Sequence, residues 1–191
     1  AMKGPVLDIE FASFVGLHNI PIRHGMTIGE LATMINEEGW LSGGVKANLT
    51  VIQYEGEPKK NDRKAAFTPP PSPNMPNRKT ALNYVGLCLL EGTTLSEGRG
   101  TDMPFKVLGA PFIDSKKLLE AMLPFLHQND VMDTVSFIPR SLLGKSAHPK
   151  YQDELCHGLK VTRLKNPINW TIHLFETLNS LYPDKFKFLE S

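Results

Sequence analysis

Cysteine is scarce in this chain: Cys88 and Cys156 are the only two in 191 residues. Two thiols are too few for a disulfide framework, and they lie too far apart in sequence to suggest a zinc site. One disulfide and two buried thiols both remain open. An excess of one charge is lacking as well, since 21 Lys and Arg face 20 Asp and Glu for a formal net charge of +1. A dedicated nucleic-acid binder would show a basic face and a higher pI. No run of about 18 apolar residues is present, so no helix is expected to span a membrane. The opening Ala1-Met2-Lys3-Gly4-Pro5 lacks the apolar stretch of a signal peptide. Hydrophobic residues still reach 41% against 21% charged, which supplies a core and excludes disorder throughout.

Proline is abundant but uneven. Five prolines fall within the eight residues 69–76, Pro-Pro-Pro-Ser-Pro-Asn-Met-Pro. Each locks φ and pushes its predecessor extended, which predicts a stiff, non-helical strut. The polar, basic stretch Glu57–Lys64 before it reads as a solvated loop, placing a boundary or hinge near residues 55 to 68. No internal repeat is found.

Four helices are predicted. Thr27-Ile28-Gly29-Glu30 fits the capping box, with Ile28, Leu31, Ala32 and Ile35 following at helical spacing until Gly39. A second helix starts after Asn77, carries Ala81, Leu82, Val85, Cys88 and Leu89 on its apolar side, and ends before Gly92. A third starts near Asp114 with Leu118, Leu119, Met122, Leu123 and Leu126. The last follows Pro167, capped by Asn169, with Ile172, Phe175, Leu178 and Leu181 inward. Strands are predicted at 49–54, 134–138 and 159–164 from β-branched content and alternation. The stretch from Val6 to Ile22 shows no clear element. Interleaved helices and strands predict an α/β or α+β fold.

Two segments carry candidate chemistry. In 20–27, Arg23 and His24 directly precede a capped helix, where amides and the helix dipole favour an anionic ligand. A surface ion pair and a turn histidine explain the same pair. The second segment, Leu90–Asp102, holds Gly92, Gly98, Gly100, Glu91, Glu97, Arg99 and Asp102 within thirteen residues. Its glycines allow close backbone approach, and its carboxylates and guanidinium suit sugar hydroxyls and a ligand carboxylate. Paired carboxylates also raise acid–base work on a glycosidic bond. The alternative is a tight surface loop in which Arg99 pairs with Glu97 or Asp102. Its spacing fits no nucleotide-binding fingerprint. Ser72 and Asn74 offer a hydroxyl and an amide from the proline run, where a linker role explains them equally. His127, His148, His157 and His173 have no metal-ligand spacing, and Ser96 lacks a nucleophile-elbow context. Trp40, Tyr84 and Trp170 are the aromatics suited to stacking on sugar rings, with Trp170 expected in the core.

These strings carry a resemblance. Ile20-Pro21-Ile22-Arg23-His24-Gly25-Met26-Thr27-Ile28-Gly29-Glu30-Leu31-Ala32 resembles a signature of the DUF1343 family. So do residues 70–76, and the run from Cys88-Leu89-Leu90-Glu91-Gly92-Thr93 through Ser96-Glu97-Gly98-Arg99-Gly100-Thr101. Gly109-Ala110-Pro111-Phe112-Ile113-Asp114 and Cys156-His157-Gly158-Leu159 extend the likeness toward the end.

The resemblance implies a bacterial exo-β-N-acetylmuramidase, a glycoside hydrolase of cell-wall recycling that removes N-acetylmuramic acid from the non-reducing ends of peptidoglycan fragments. Family members are about twice as long and begin with a Rossmann-like domain. The Pro-Glu-His-Gly type motif holding their favoured catalytic glutamate is not found in this sequence, so the catalytic residue here is unknown. By this likeness, residues 1–55 are closing elements of a Rossmann-like domain, 56–77 a Pro-rich linker and 78–191 a smaller mixed α/β C-terminal domain. The strand at 49–54 would complete a sheet of the first domain. Arg23 and His24 would face the family's interdomain cleft from one side, and Ser72, Asn74, Glu91, Glu97 and Arg99 from the other. No cofactor and no metal are expected. The implied partners are a peptidoglycan-derived sugar and the missing N-terminal Rossmann-like domain, in cis or in trans. The implied location of the parent protein is periplasmic or extracellular. Without the proposed acid, the isolated chain is expected to be inactive; the alternative is a non-catalytic muramyl-sugar-binding or partner-dependent interaction domain.

Overall fold

The computed structural model describes residues 3–14, 16–53 and 69–190. The expected loop at Glu57–Lys64 and the hinge near residues 55 to 68 lie outside the described residues. Contacts divide the chain into two compact units, Ala1–Arg63 and Lys64–Ser191.

In the first unit, strand β1 (Lys3–Val6) pairs antiparallel with β2 (Pro21–Arg23), elements that the unclear reading of the opening stretch did not supply. Helix α1 (Ile28–Glu37) starts at Thr27 as predicted. The Thr27 amide donates to the Glu30 carboxylate at 2.7 Å, and the Glu30 amide donates to the Thr27 hydroxyl at 3.2 Å. Two free amides of the helix start are thereby satisfied. Residues 49–53, expected as a strand, form none, and Tyr54 lies outside the described residues. The chain returns through Asn36 instead, whose side chain bonds both the amide and carbonyl of Ala47, and Val51 then rests against Gly29 of α1. β-branched content favours a strand only where a ladder partner is available. No described residue of this unit is buried, while Phe11, Phe14, Ile28 and Ile52 are exposed.

The second unit holds the core. Strands β3 (Val107–Ala110), β4 (Val131–Phe137) and β5 (Cys156–Arg163) form an antiparallel sheet in the order β3-β5-β4. Helices α2 (Arg78–Leu87), α3 (Ser115–Met122) and α4 (Pro167–Leu181) complete the α+β layering. Leu108, Leu159 and Val161 of the sheet join Leu118, Met122, Trp170, Leu174 and Leu178 in one buried cluster. Trp170 is core, as expected.

Helix starts agree with their caps better than helix faces agree with their patterns. Asn77 caps α2 and Asp114 caps α3. On α2, however, Thr80, Asn83, Gly86 and Leu87 are buried while Leu82 is exposed, and Leu89, also exposed, falls in the 3-10 turn Cys88–Gly92 beyond the helix end. The cause is Gly86, which lets α2 close on α4 where any Cβ would strike the Pro167 carbonyl. Asn83 then turns inward and donates to the Val161 carbonyl at 3.1 Å. α3 stops at Met122, with Pro124 in a following 3-10 turn and Leu123 exposed. α4 begins at Pro167 itself rather than after Asn169, because proline presets φ for the first helical position. Its buried face is Ile168, Trp170, Thr171, Leu174 and Leu178, leaving Ile172 exposed.

Candidate functional site

Seven residues were predicted to bind ligand, and the structure distributes them over three places. Arg23 ends β2 in the first unit. His24 accepts a hydrogen bond from the Met26 amide through Nδ1 at 3.2 Å and lines an apolar hollow of about 700 Å³ with Val6, Phe11, Ile20 and Ile22. The following helix start is already occupied by its own Glu30, whose carboxyl the Thr27 amide, then the Thr27 hydroxyl, holds below the usual carboxylate range. An anion there must compete with that carboxylate.

Ser72 and Asn74 sit on a turn. The proline run is non-helical, but it is not a straight strut, because the Met75 amide donates to the Ser72 carbonyl at 2.9 Å. Pro73 takes the second position of that turn, which its fixed φ favours. The Asn74 amide nitrogen bonds the Ser72 hydroxyl, and its side chain donates to the Lys145 carbonyl at 2.8 Å.

Glu91, Glu97 and Arg99 come together. A 3-10 turn over Cys88–Gly92 carries Glu91 off the end of α2. The loop beyond it is pinned to β3, with reciprocal backbone bonds between Ser96 and Gly109 of 2.8 and 3.1 Å. Gly98 and Gly100 adopt φ of +80° and +79°, and a Cβ at Gly100 would strike the Arg140 carbonyl. Only glycine takes this path without strain. Glu97 is thereby buried at 4% exposure, and Arg99 stays half-buried above it.

Arg99 donates from Nη2 to Glu91 at 2.8 Å, its Nε lies 3.7 Å from Glu97, and its guanidinium stands over the Phe105 ring. Of the two pairings the surface-loop alternative named, Glu97 is a neighbour and Asp102 is not among the recorded partners. Nε is buried without a hydrogen-bond partner. Tyr84 packs edge-on to Phe105 at 4.8 Å, and burial first, then the charge of Glu91, pushes its hydroxyl pKa up.

Lys150 escaped the sequence reading. Its ammonium donates to the carbonyls of Leu90, Glu91 and Leu95 at 2.9, 3.0 and 2.9 Å and lies 3.3 Å from the other oxygen of Glu97. Nothing local in His148-Pro149-Lys150-Tyr151 marks this role. Glu91 and Glu97 therefore each face a cation, an arrangement suited to orienting Arg99.

The cysteines are free thiols. Cys88 is half-buried and Cys156 buried. Burial, then Glu154, pushes the Cys156 thiol up to about 12. Its proton is therefore held more tightly in the folded state, a contribution complete below the ordinary value of 9.0 and lost as the pH climbs toward about 12. Alkylation at pH 8 is expected to leave Cys156 unmodified in the native chain and to label it on unfolding; rapid native labelling contradicts this. Among the described residues, no three His, Cys, Asp or Glu side chains are grouped to hold a metal ion. No described helix is long and apolar enough to cross a membrane.

Comparison with known proteins gives consistent results. Residues 82–191 match the family model for the C-terminal part of exo-β-N-acetylmuramidase NamZ, and residues 1–79 match its N-terminal part. The peptidoglycan β-N-acetylmuramidase NamZ of Bacillus subtilis is 40% identical over 197 residues, covering 100% of this chain and 45% of that protein. A DUF1343 family protein of Bacteroides fragilis, solved by crystallography, is 33% identical with a TM-score of 0.68, over 98% of this chain and 49% of that one. A second from the same organism shares the fold, with a TM-score of 0.77 at 23% identity, over 97% and 48%. The chain thus spans about half the length of these relatives.

Proposed function

The chain belongs to the NamZ exo-β-N-acetylmuramidase family of peptidoglycan glycosidases, and from that premise we propose that it is the sugar-recognising C-terminal portion of such an enzyme. Its ligand is the N-acetylmuramic acid at the non-reducing end of a peptidoglycan fragment, met in the periplasm or outside the cell. Residues 1–55 act as closing elements of a first domain, 56–77 as a linker and 78–191 as the C-terminal domain. The ligand contacts proposed are Arg23 and His24 on the first unit, and Ser72, Asn74, Glu91, Glu97 and Arg99 on the second.

The observation that carries this reading is the state of Arg99. A guanidinium has five N–H donors. Among the described residues only Nη2 makes a hydrogen bond, while the side chain is 37% exposed. A fixed, half-exposed fork of donors suits the lactyl carboxylate that distinguishes muramic acid from glucosamine.

A second reading, a partner-dependent interaction domain, is favoured by the first unit. Its described residues include none that is buried, and Phe14, Ile28 and Ile52 are each at least 90% exposed. Such a surface calls for the rest of a first domain, supplied in cis or in trans. The two readings are compatible.

The 191-residue chain is expected to release no chromophore from a chromogenic N-acetylmuramide, and to do so once combined with a NamZ-type first domain carrying Pro-Glu-His-Gly. Turnover by the chain alone would overturn the assignment of catalysis to the part of the relatives' length that this chain does not span.

A further inference from the structure

We propose that Lys150 is a positioning residue that keeps Arg99 available to a ligand carboxylate. This rests on the muramyl-sugar reading of the same cluster. The geometry is a division of labour around one buried carboxylate. Lys150 approaches Oε2 of Glu97 at 3.3 Å, while Arg99 Nε stands off Oε1 at 3.7 Å, beyond hydrogen-bond distance. Arg99 spends its short contact on Glu91 instead, at 2.8 Å.

A carboxylate taken out of water demands a cation. With Lys150 present, Glu97 has one that is itself held in place, because the same ammonium lies within hydrogen-bond distance of the carbonyls of Leu90, Glu91 and Leu95. The next residue reinforces the clamp: the Tyr151 hydroxyl donates to the Thr94 carbonyl at 2.6 Å. Remove the ammonium and Arg99 becomes the remaining cation beside Glu97. The guanidinium then closes onto that carboxylate in a bidentate fork and is lost to the ligand.

Lys150→Met keeps most of the stem and deletes the charge. Its expected effect is a loss of about tenfold in the preference for N-acetylmuramic acid over N-acetylglucosamine, measured by calorimetric titration of the 191-residue chain. Lys150→Arg, which returns a cation to the Glu97 carboxylate, is expected to recover part of that preference. A ligand-free readout runs alongside. The Arg99 Nε–Hε resonance in a ¹⁵N-edited spectrum should shift in Lys150→Met and return toward its wild-type position in Lys150→Arg. If Lys150→Met does not fold, Lys150→Gln, which keeps a hydrogen-bond donor and lacks the charge, carries the same test with the same expected loss of preference.

An unchanged sugar preference and an unmoved Arg99 resonance in folded Lys150→Met would overturn it. So would equal weakening for both sugars without rescue, which is what a purely structural lysine produces. A wild-type chain with no preference for either sugar sinks the muramyl reading itself. The Arg99 resonance then still decides whether Lys150 controls the guanidinium.

Discussion

Arg99→Ala is expected to remove the proposed preference for N-acetylmuramic acid over N-acetylglucosamine. A charge-assisted hydrogen bond to a ligand carboxylate is worth about 2 kcal/mol at a half-exposed site, or roughly thirtyfold in relative affinity. Affinity for N-acetylglucosamine, which lacks the lactyl group, should barely change. Arg99→Lys is expected to recover only part of the preference, because a point charge cannot reproduce the planar fork. Paired titrations of the two sugars check this. Equal losses for both would mean that Arg99 holds the loop and does not read the acid.

Glu97→Ala is expected to be the most damaging polar substitution among the described residues. It leaves Lys150 and Arg99 facing one another at a site where Glu97 is only 4% exposed. Breaking a buried ion pair by removing one partner costs about 3 kcal/mol or more. Glu91→Ala disturbs a pair that is 37% exposed on both sides, where about 1 kcal/mol or less is at stake. Urea unfolding of the two variants should separate them clearly. Similar small shifts would mean that Glu97 is solvated and the cluster does not anchor the loop.

Three of the four helix starts were legible because capping is short-range chemistry, whereas the cap expected at Asn169 is not one, α4 starting at Pro167. Thr27 with Glu30, Asn77 and Asp114 each satisfy amides within the next turn, so residue type alone marks the start of a helix. The inward face of α2 was not legible in that way. Leu82 and Leu89 made the stronger hydrophobic pattern, yet the close approach at Gly86 and the Asn83 bond to β5 rotated the helix the other way. Both depend on a partner remote in the chain. The unformed strand at 49–53 has the same origin: its β-branched residues met no ladder partner among the described residues, and Asn36 captured the backbone just before them.

The candidate site divides along the same line. Glu91, Glu97 and Arg99 lie within one loop, where a dense set of charges and glycines drew attention. Lys150 lies 53 positions from Glu97 and reaches it through tertiary structure alone. A lysine beside a proline reads as a solvated turn until its four acceptors are seen. The family likeness supplied what neither charge nor periodicity contains, namely the sugar proposed as ligand.

The most direct measurement of the central claim is an amide-resonance titration of the ¹⁵N-labelled 191-residue chain with the methyl β-glycoside of N-acetylmuramic acid. Saturable shifts are predicted at Glu91, Glu97 and Arg99, with weaker or no shifts for the matching N-acetylglucosaminide. A spectrum unmoved by millimolar muramic glycoside, or moved identically by both sugars, would contradict muramyl recognition by this chain.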